Sequence, residues 1–256
     1  MGDRDSDLDL PQQPVPEQKK RRKAQRGGDE EEGSRVRSTD IGGNATEQPV
    51  VQSEVVAEAR GKQTHRRDVP RCVHILAFGD SLTAGGFGSR PYPAQLQALL
   101  NERSSSGEAY KVHNAGICGE STEDMVERLR RELRDFRSDG ICPAFVLVLG
   151  GTNDLGHMTP QQILCNVAKL RQIAHQAQAI PVALAIPRDE FGLGPVARLV
   201  NRGLRAEASG HNLLLADVSS VSGEHLSDGV HFTSEGYALF AQLAFDAMRP
   251  KLALAS

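Results

Sequence analysis

From about residue 71 the chain alternates between short, wholly apolar runs and longer stretches in which apolar residues recur every three or four positions. CVHILAF (72–78), YKVHNAG (110–116), AFVLVLG (144–150), IPVALAIP (180–187) and NLLLADV (212–218) have the length and continuity of buried strands. Helical spacing fills the intervals. YPAQLQALLNER (92–103) sets Leu96, Leu99 and Leu100 on one face. STEDMVERLRRELRDF (121–136) opens on Ser121 or Thr122 as a cap and carries Met125, Leu129, Leu133 and Phe136 as an apolar stripe. Residues 159–178 follow, with Ile163, Val167, Leu170 and Ile173 along one side, then VARLVNRGLRAEA (196–208) and SEGYALFAQLAFDAM (234–248). There is no internal repeat.

Apolar strands separated by amphipathic helices predict a parallel sheet covered on both faces. Five of each predict a flavodoxin-like three-layer α/β/α sandwich with a five-stranded parallel sheet. Right-handed crossovers then align the strand C-terminal ends along one edge. A cleft is expected there, near the point where strand order reverses. Ser81, the glycines after Val112, and Thr152-Asn153-Asp154 all fall just past predicted strand ends.

Residues 1–70 break this pattern. They hold only scattered apolar residues, no aromatics and no cysteine, and are rich in Asp, Glu, Arg, Gln, Gly and Pro. Such a segment buries too little apolar surface to offset the entropy of ordering, so it reads as a disordered polar tail before a folded domain at 71–256. The roughly 180 remaining residues suffice for one core. Within the tail, Lys19, Lys20, Arg21, Arg22 and Lys23 form a basic cluster ahead of the acidic run DEEE (29–32). An import signal or a surface-binding patch fits it, and a solvated polyampholyte accounts for the same residues. Met1-Gly2-Asp3-Arg4-Asp5-Ser6 matches the loose N-myristoylation pattern. Asp3, Asp5, Asp7 and Asp9 would oppose an anionic membrane surface, so membrane association is not expected.

Composition narrows the rest. The 256 residues carry a formal net charge of −3, too small to argue for a nucleic-acid partner. Cys72, Cys118, Cys142 and Cys165 are widely spaced without a CxxC pair, as suits buried or free thiols in a reducing compartment. That spacing argues against structural zinc. No run approaches transmembrane length, and MGDRDSDLDL lacks the apolar core of a signal peptide. The expectation is a cytoplasmic protein, with the basic cluster available for nuclear import. Nothing in the sequence signals an oligomeric state.

Taken singly, the loops are ambiguous. Ser81 in FGDSLTAGG could cap a helix, and as a nucleophile it would need a base, an orienting acid and oxyanion donors. SDGVHF (227–232) offers Asp228 three residues before His231, a spacing that lets a carboxylate hold the imidazole Nδ1–H and leave Nε2 for a serine proton. His157, three residues after Asp154, is the only rival base and a candidate to line the cleft. NAGICGEST (114–122) contributes Gly119, whose bare backbone admits close approach, and GGTND (150–154) contributes the Asn153 amide. Asp80 and Asp154 read as hydrogen-bond partners that shape their loops.

The four blocks GDSL, N-A-G-x-x-G, GGTND and DGVH occur in this order, each at a strand end, and together resemble the SGNH hydrolase superfamily, also called the GDSL esterase/lipase family. The resemblance spans about 72–250. It implies Ser81 as nucleophile and first oxyanion donor, Gly119 and Asn153 as the other two donors, His231 as general base and acid, and Asp228 orienting it. It implies hydrolysis of carboxylic esters through an acyl-enzyme, with no metal or organic cofactor and a small-molecule acyl ester as partner. Acyl transfer through the same intermediate is the near alternative. A non-catalytic scaffold with a partner-binding tail is the distant one. Two details depart from the commonest pattern: the doubled glycine of GGTND, and Cys118 before Gly119 where a small polar residue is frequent. Cysteine as nucleophile is disfavoured, since no second base adjoins it.

An α/β-hydrolase elbow is not present: Thr83 stands where GxSxG needs its last glycine, and no P-loop or strand-linked GxGxxG occurs. The segments 84–92 and 187–195 are short and carry Phe87, Tyr92 and Phe191 as candidate substrate contacts. Few long insertions imply an open cleft and small or exposed acyl groups.

Overall fold

The structure, a computed structural model, describes residues 71–86, 88–104, 107–187, 194–211, 213–221 and 223–255. The 1–70 tail with its basic cluster and acylation pattern, together with Phe87 and Phe191, lies outside the described residues.

Five parallel strands form one sheet in the order β2-β1-β3-β4-β5. They are β1 (Cys72–Gly79), β2 (Ala109–Gly116), β3 (Phe145–Leu149), β4 (Ile180–Leu184) and β5 (Leu214–Ala216). Six helices accompany them: α1 (Ser81–Ala84), α2 (Tyr92–Glu102), α3 (Thr122–Ser138), α4 (Pro160–Gln176), α5 (Gly194–His211) and α6 (Ser234–Ala255). This is the predicted flavodoxin-like three-layer sandwich. Strand order reverses between β1 and β3, which places the switch point where Ser81 and Asn153 leave the sheet.

Side-chain alternation divides the core in two. Ile75 and Ala77 of β1 and Phe145, Leu147 and Leu149 of β3 face one layer, packing with Leu96 and Leu100 of α2 and Phe240 and Ala244 of α6. Leu76 and Phe78 of β1 and Val146 and Val148 of β3 face the other, against Met125 and Leu129 of α3, Ile163, Val167 and Leu170 of α4, and Val200 and Leu204 of α5. Full burial on both sides is why β1 and β3 read as unbroken apolar runs.

The helix ends follow local chemistry. Ser121 caps α3, accepting from Asp124 N, with Glu123 and Asp124 in the positive first turn. Thr159 and Gln162 form a reciprocal capping box on α4, and Pro160 occupies its first turn without the loss of a needed donor.

Two expectations change. Tyr92 is not a cleft residue: it opens α2 fully buried and stacks on Phe240, with ring centroids 4.2 Å apart, because the face of α2 that carries it is turned onto α6. The four cysteines are free, as expected, but all are exposed and none is buried. Among the described residues no helix is long and apolar enough to cross a membrane.

Candidate active site

The GDSL segment turns within one residue of β1. Asp80, rather than Ser81, is the N-cap: its Oδ1 accepts from Leu82 N at 3.0 Å, and its carbonyl accepts from Thr83 N and Ala84 N. Ser81 is therefore the first residue of the four-residue helix α1, a turn too short to register as helical periodicity. Gly79 is required by crowding, since a Cβ there would lie 2.3 Å from Thr83 Oγ1 and 2.6 Å from the Leu149 carbonyl. Gly116, at the end of β2, meets the same constraint, with a Cβ falling 2.0 Å from Ala84 N.

The loop before α6 is pinned as a narrow hairpin. Leu226 and Phe232 form an isolated antiparallel bridge, Ser227 N donates to the His231 carbonyl, and Thr233 N donates to the His225 carbonyl. Gly229 takes the left-handed φ of 84° at its tip. Within this frame Asp228 Oδ1 accepts from Val230 N and His231 N, while Oδ2 lies 2.8 Å from His231 Nδ1. His231 Nε2 lies 2.9 Å from Ser81 Oγ. Burial acts to raise the Asp228 carboxyl, but the hydrogen bonds from the His231 amide and ring and from Val230 N prevail and hold it below the usual carboxylate range.

Two further loops border Ser81. After β2, Glu120 N closes a turn on the Ile117 carbonyl, and Gly119 sits within it at φ 77°, exposed and with open space around its Cα. Asn114 braces this loop from below: its Oδ1 accepts from Gly116 N and its Nδ2 donates to the Ala84 carbonyl. After β3, Gly151 turns left-handed at φ 116° into a single-turn 3-10 helix, Thr152–Asp154. There Asn153 Nδ2 donates to the Glu120 carbonyl at 2.9 Å, which uses one of its two hydrogens. Buried Asp154 accepts from Thr122 N with both oxygens, joining this loop to the start of α3. Burial raises its pKa against that hydrogen bond.

His157 lies on the exposed turn after Asp154, and its backbone N–H donates to the Asp154 carbonyl. Behind Ser81, Asp80 is completely buried, and desolvation pushes its carboxyl up to about 7, against the opposing pull of the Leu82 amide and His231. Asp80 Oδ2, Thr83 Oγ1, Tyr92 OH, Thr152 Oγ1 and Tyr237 OH are all buried short of well-formed hydrogen bonds.

Among the described residues no three His, Cys, Asp or Glu side chains gather as metal ligands. A groove of about 750 Å³ lies at the opposite edge of the sheet, where Arg171 and His175 of α4 meet Ile180, Glu207, Leu214 and Lys251. Its Arg171 is already paired with Glu207, and no Ser, Thr or Cys lines it.

A model of the GDSL-like Lipase/Acylhydrolase family matches residues 77–239. The chain belongs to this family. The match runs from the end of β1 into α6 and so includes Ser81, Gly119, Asn153, Asp228 and His231. Among curated proteins, Esterase TesA of Pseudomonas aeruginosa is 29% identical over 168 residues, 61% of this chain and 78% of the relative. An uncharacterized lipoprotein of Bacillus subtilis, YqeF, is 31% identical over 86 residues, so the chain matches only about a third of that relative's length. Among solved structures, TesA superposes with a TM-score of 0.58 at 27% identity, covering 70% of this chain and 99% of TesA. The lipase/acylhydrolase from Enterococcus faecalis shares the fold at a TM-score of 0.57 and 23% identity, covering 70% of this chain and 96% of its own.

Proposed function

We propose that this protein is a serine esterase that hydrolyses carboxylic esters through an acyl-enzyme intermediate. The observation that carries the reading is the continuous relay from Asp228 Oδ2 through both nitrogens of His231 to Ser81 Oγ. In the proposed cycle Ser81 Oγ attacks the ester carbonyl as His231 Nε2 takes its proton, and Asp228 steadies the imidazolium so formed. The Ser81 and Gly119 backbone N–H groups and the second amide hydrogen of Asn153 stabilise the tetrahedral oxyanion. Collapse breaks the carbon–oxygen bond to the leaving alcohol, which receives the proton from His231. Water, deprotonated by the same histidine, then attacks the acyl-Ser81 carbonyl and releases the acid. Esterase activity in TesA of P. aeruginosa supports this reaction class.

The substrate class follows from the surroundings. Ile117, 47% exposed two residues before Gly119, offers the acyl group an apolar wall, and the short flanking segments favour small or exposed acyl groups. The four free, exposed thiols support a reducing compartment, the cytoplasm, as the site of action. The test is stoichiometric labelling by a fluorophosphonate probe, followed by a panel of esters of increasing acyl length. Labelling of the wild-type chain that disappears in Ser81→Ala supports the reading, whereas an unlabelled wild-type chain, or equal labelling of the variant, removes it.

A further inference from the structure

Arg128 lies on α3 between Met125 and Leu129 of the buried apolar stripe, at a position where Leu or Met would continue the core. It is only 8% exposed. Its guanidinium stacks over the Phe78 ring, 3.9 Å from the centroid. Four N–H donations are directed at three residues. Nε donates to Glu120 Oε1 at 2.6 Å, and Nη2 to Glu120 Oε2 and, at 3.1 Å, to the Gly79 carbonyl. Nη1 donates to the Ala115 carbonyl at 2.9 Å.

An ion pair taken out of water is a weak source of stability, because desolvation of both charges offsets their attraction, and well-packed apolar residues often do as well. The arrangement is better explained by what its partners adjoin. Gly79 is two residues before Ser81, Ala115 is the penultimate residue of β2, which leads into the Gly119 turn, and Glu120 follows Gly119 directly. Glu120 is moreover gripped at both ends: its carboxylate by Arg128, its carbonyl by Asn153 Nδ2. One planar fork thus joins the Ser81 and Gly119 segments directly and reaches the Asn153 segment through Glu120. A lysine has neither the five fixed donors nor the plane to do so.

We propose that Arg128 is a positioning residue for the oxyanion site: by fixing the Glu120 carboxylate and the Gly79 and Ala115 carbonyls together, it sets the Gly119 amide and the Asn153 side chain relative to Ser81. This rests on the esterase reading. Arg128 touches no reacting atom and acts through Glu120 and Asn153. Its loss lets the turn 117–120 drift, and a misplacement of about 1 Å costs roughly 100-fold in rate.

The test is a double-mutant cycle. Steady-state kcat and KM for a short-chain p-nitrophenyl ester are measured for Arg128→Met, Arg128→Lys and Glu120→Gln, each in the wild-type and Asn153→Ala backgrounds. Arg128→Met is expected to lower kcat roughly 30- to 100-fold with KM changed less than about threefold. Arg128→Lys recovers only a minor part, and the shape of the kcat/KM profile against pH is unchanged because the Ser81–His231–Asp228 relay is intact. Paired with Asn153→Ala, the combined loss falls short of the product of the single losses by at least about fivefold, as for residues acting through one network. Losses that multiply fully, or a loss confined to KM, overturn the proposal. Should Arg128→Met fail to fold, Glu120→Gln, which keeps the side-chain volume, decides by the same cycle. Fluorophosphonate labelling of the wild-type chain separates the two readings. A labelled chain with independent losses sinks the positioning role alone, and an unlabelled chain sinks the esterase reading and this one with it.

Discussion

His231 Nε2 stands 2.9 Å from Ser81 Oγ across 150 positions of sequence, while Asp228 reaches the opposite nitrogen of the same ring from three residues away. The first relationship is made by the sheet and the second by a hairpin loop, so they answer to different perturbations. The serine–histidine distance depends on β1 and α6 staying in register with one another. The aspartate–histidine distance depends only on the 226–232 loop.

Asp228→Asn tests the second relationship. An amide of the same shape still accepts from Val230 N and His231 N, but its NH₂ can hold the ring in the wrong tautomer and it carries no charge to stabilise an imidazolium. In other triads this change costs about 10⁴ in kcat. The Asp228 side chain is 40% exposed here, so water and solvent screening soften the penalty. The expected loss is roughly 100- to 1000-fold in kcat, with KM little changed, measured under steady-state conditions.

Asn153→Ala removes the side chain proposed as an oxyanion donor. The loss of one such donor costs roughly 100- to 1000-fold in kcat, with KM nearly constant because the ground-state ester makes the weaker interaction. Asn153 also donates to the Glu120 carbonyl, so the variant loosens the turn around Gly119 as well. The upper half of that range is therefore expected. A fall in kcat below tenfold would remove Asn153 from the oxyanion site.

The legibility of the protein in its sequence divides along physical lines. Every long strand and helix was readable, because each buries a continuous or periodic apolar surface, as the Leu76/Phe78 and Ile75/Ala77 alternation of β1 illustrates. α1 was not, since four residues hold less than two turns and leave no period to detect. Tyr92 was misassigned to the cleft because its neighbours in sequence are loop residues, whereas its environment is decided by Phe240, 148 positions later in the chain. Arg128 was hidden in the run ERLRRELR (127–134), where it reads as one more solvated charge, eight positions away from its partner Glu120. Its single signal was a cation placed between Met125 and Leu129 on the buried stripe.

Gly116→Ala probes the close approach of β2 to α1. The added Cβ would lie 2.0 Å from Ala84 N and 2.7 Å from the Thr83 carbonyl carbon, and backbone cannot turn aside as a flexible side chain can. Overpacking of this kind costs about 1–3 kcal/mol. The variant is expected to lower the urea midpoint by that amount of stability and to reduce ester turnover, because the displaced segment is the one that carries Ser81. An unchanged midpoint would mean that α1 and the end of β2 are separable.

Asp80→Asn isolates the buried carboxyl behind Ser81. In the unfolded chain an aspartate titrates near 3.9, and in the fold Asp80 is pushed up to about 7 by desolvation. Between these values the folded state binds the extra proton, so stability declines as pH rises from about 4 to about 7 and stays reduced above that. Asparagine keeps the acceptor for Leu82 N and has no charge to bury. The difference in urea midpoint between variant and wild type should therefore shift in favour of the variant as pH is raised from 4 to 8. Other titrating groups, Asp154 among them, are common to both chains and largely cancel in that difference. A difference that stays constant over this range would show that Asp80 titrates alike in the folded and unfolded chain, with its charge already accommodated by the surrounding hydroxyls of Thr83, Tyr92, Thr152 and Tyr237.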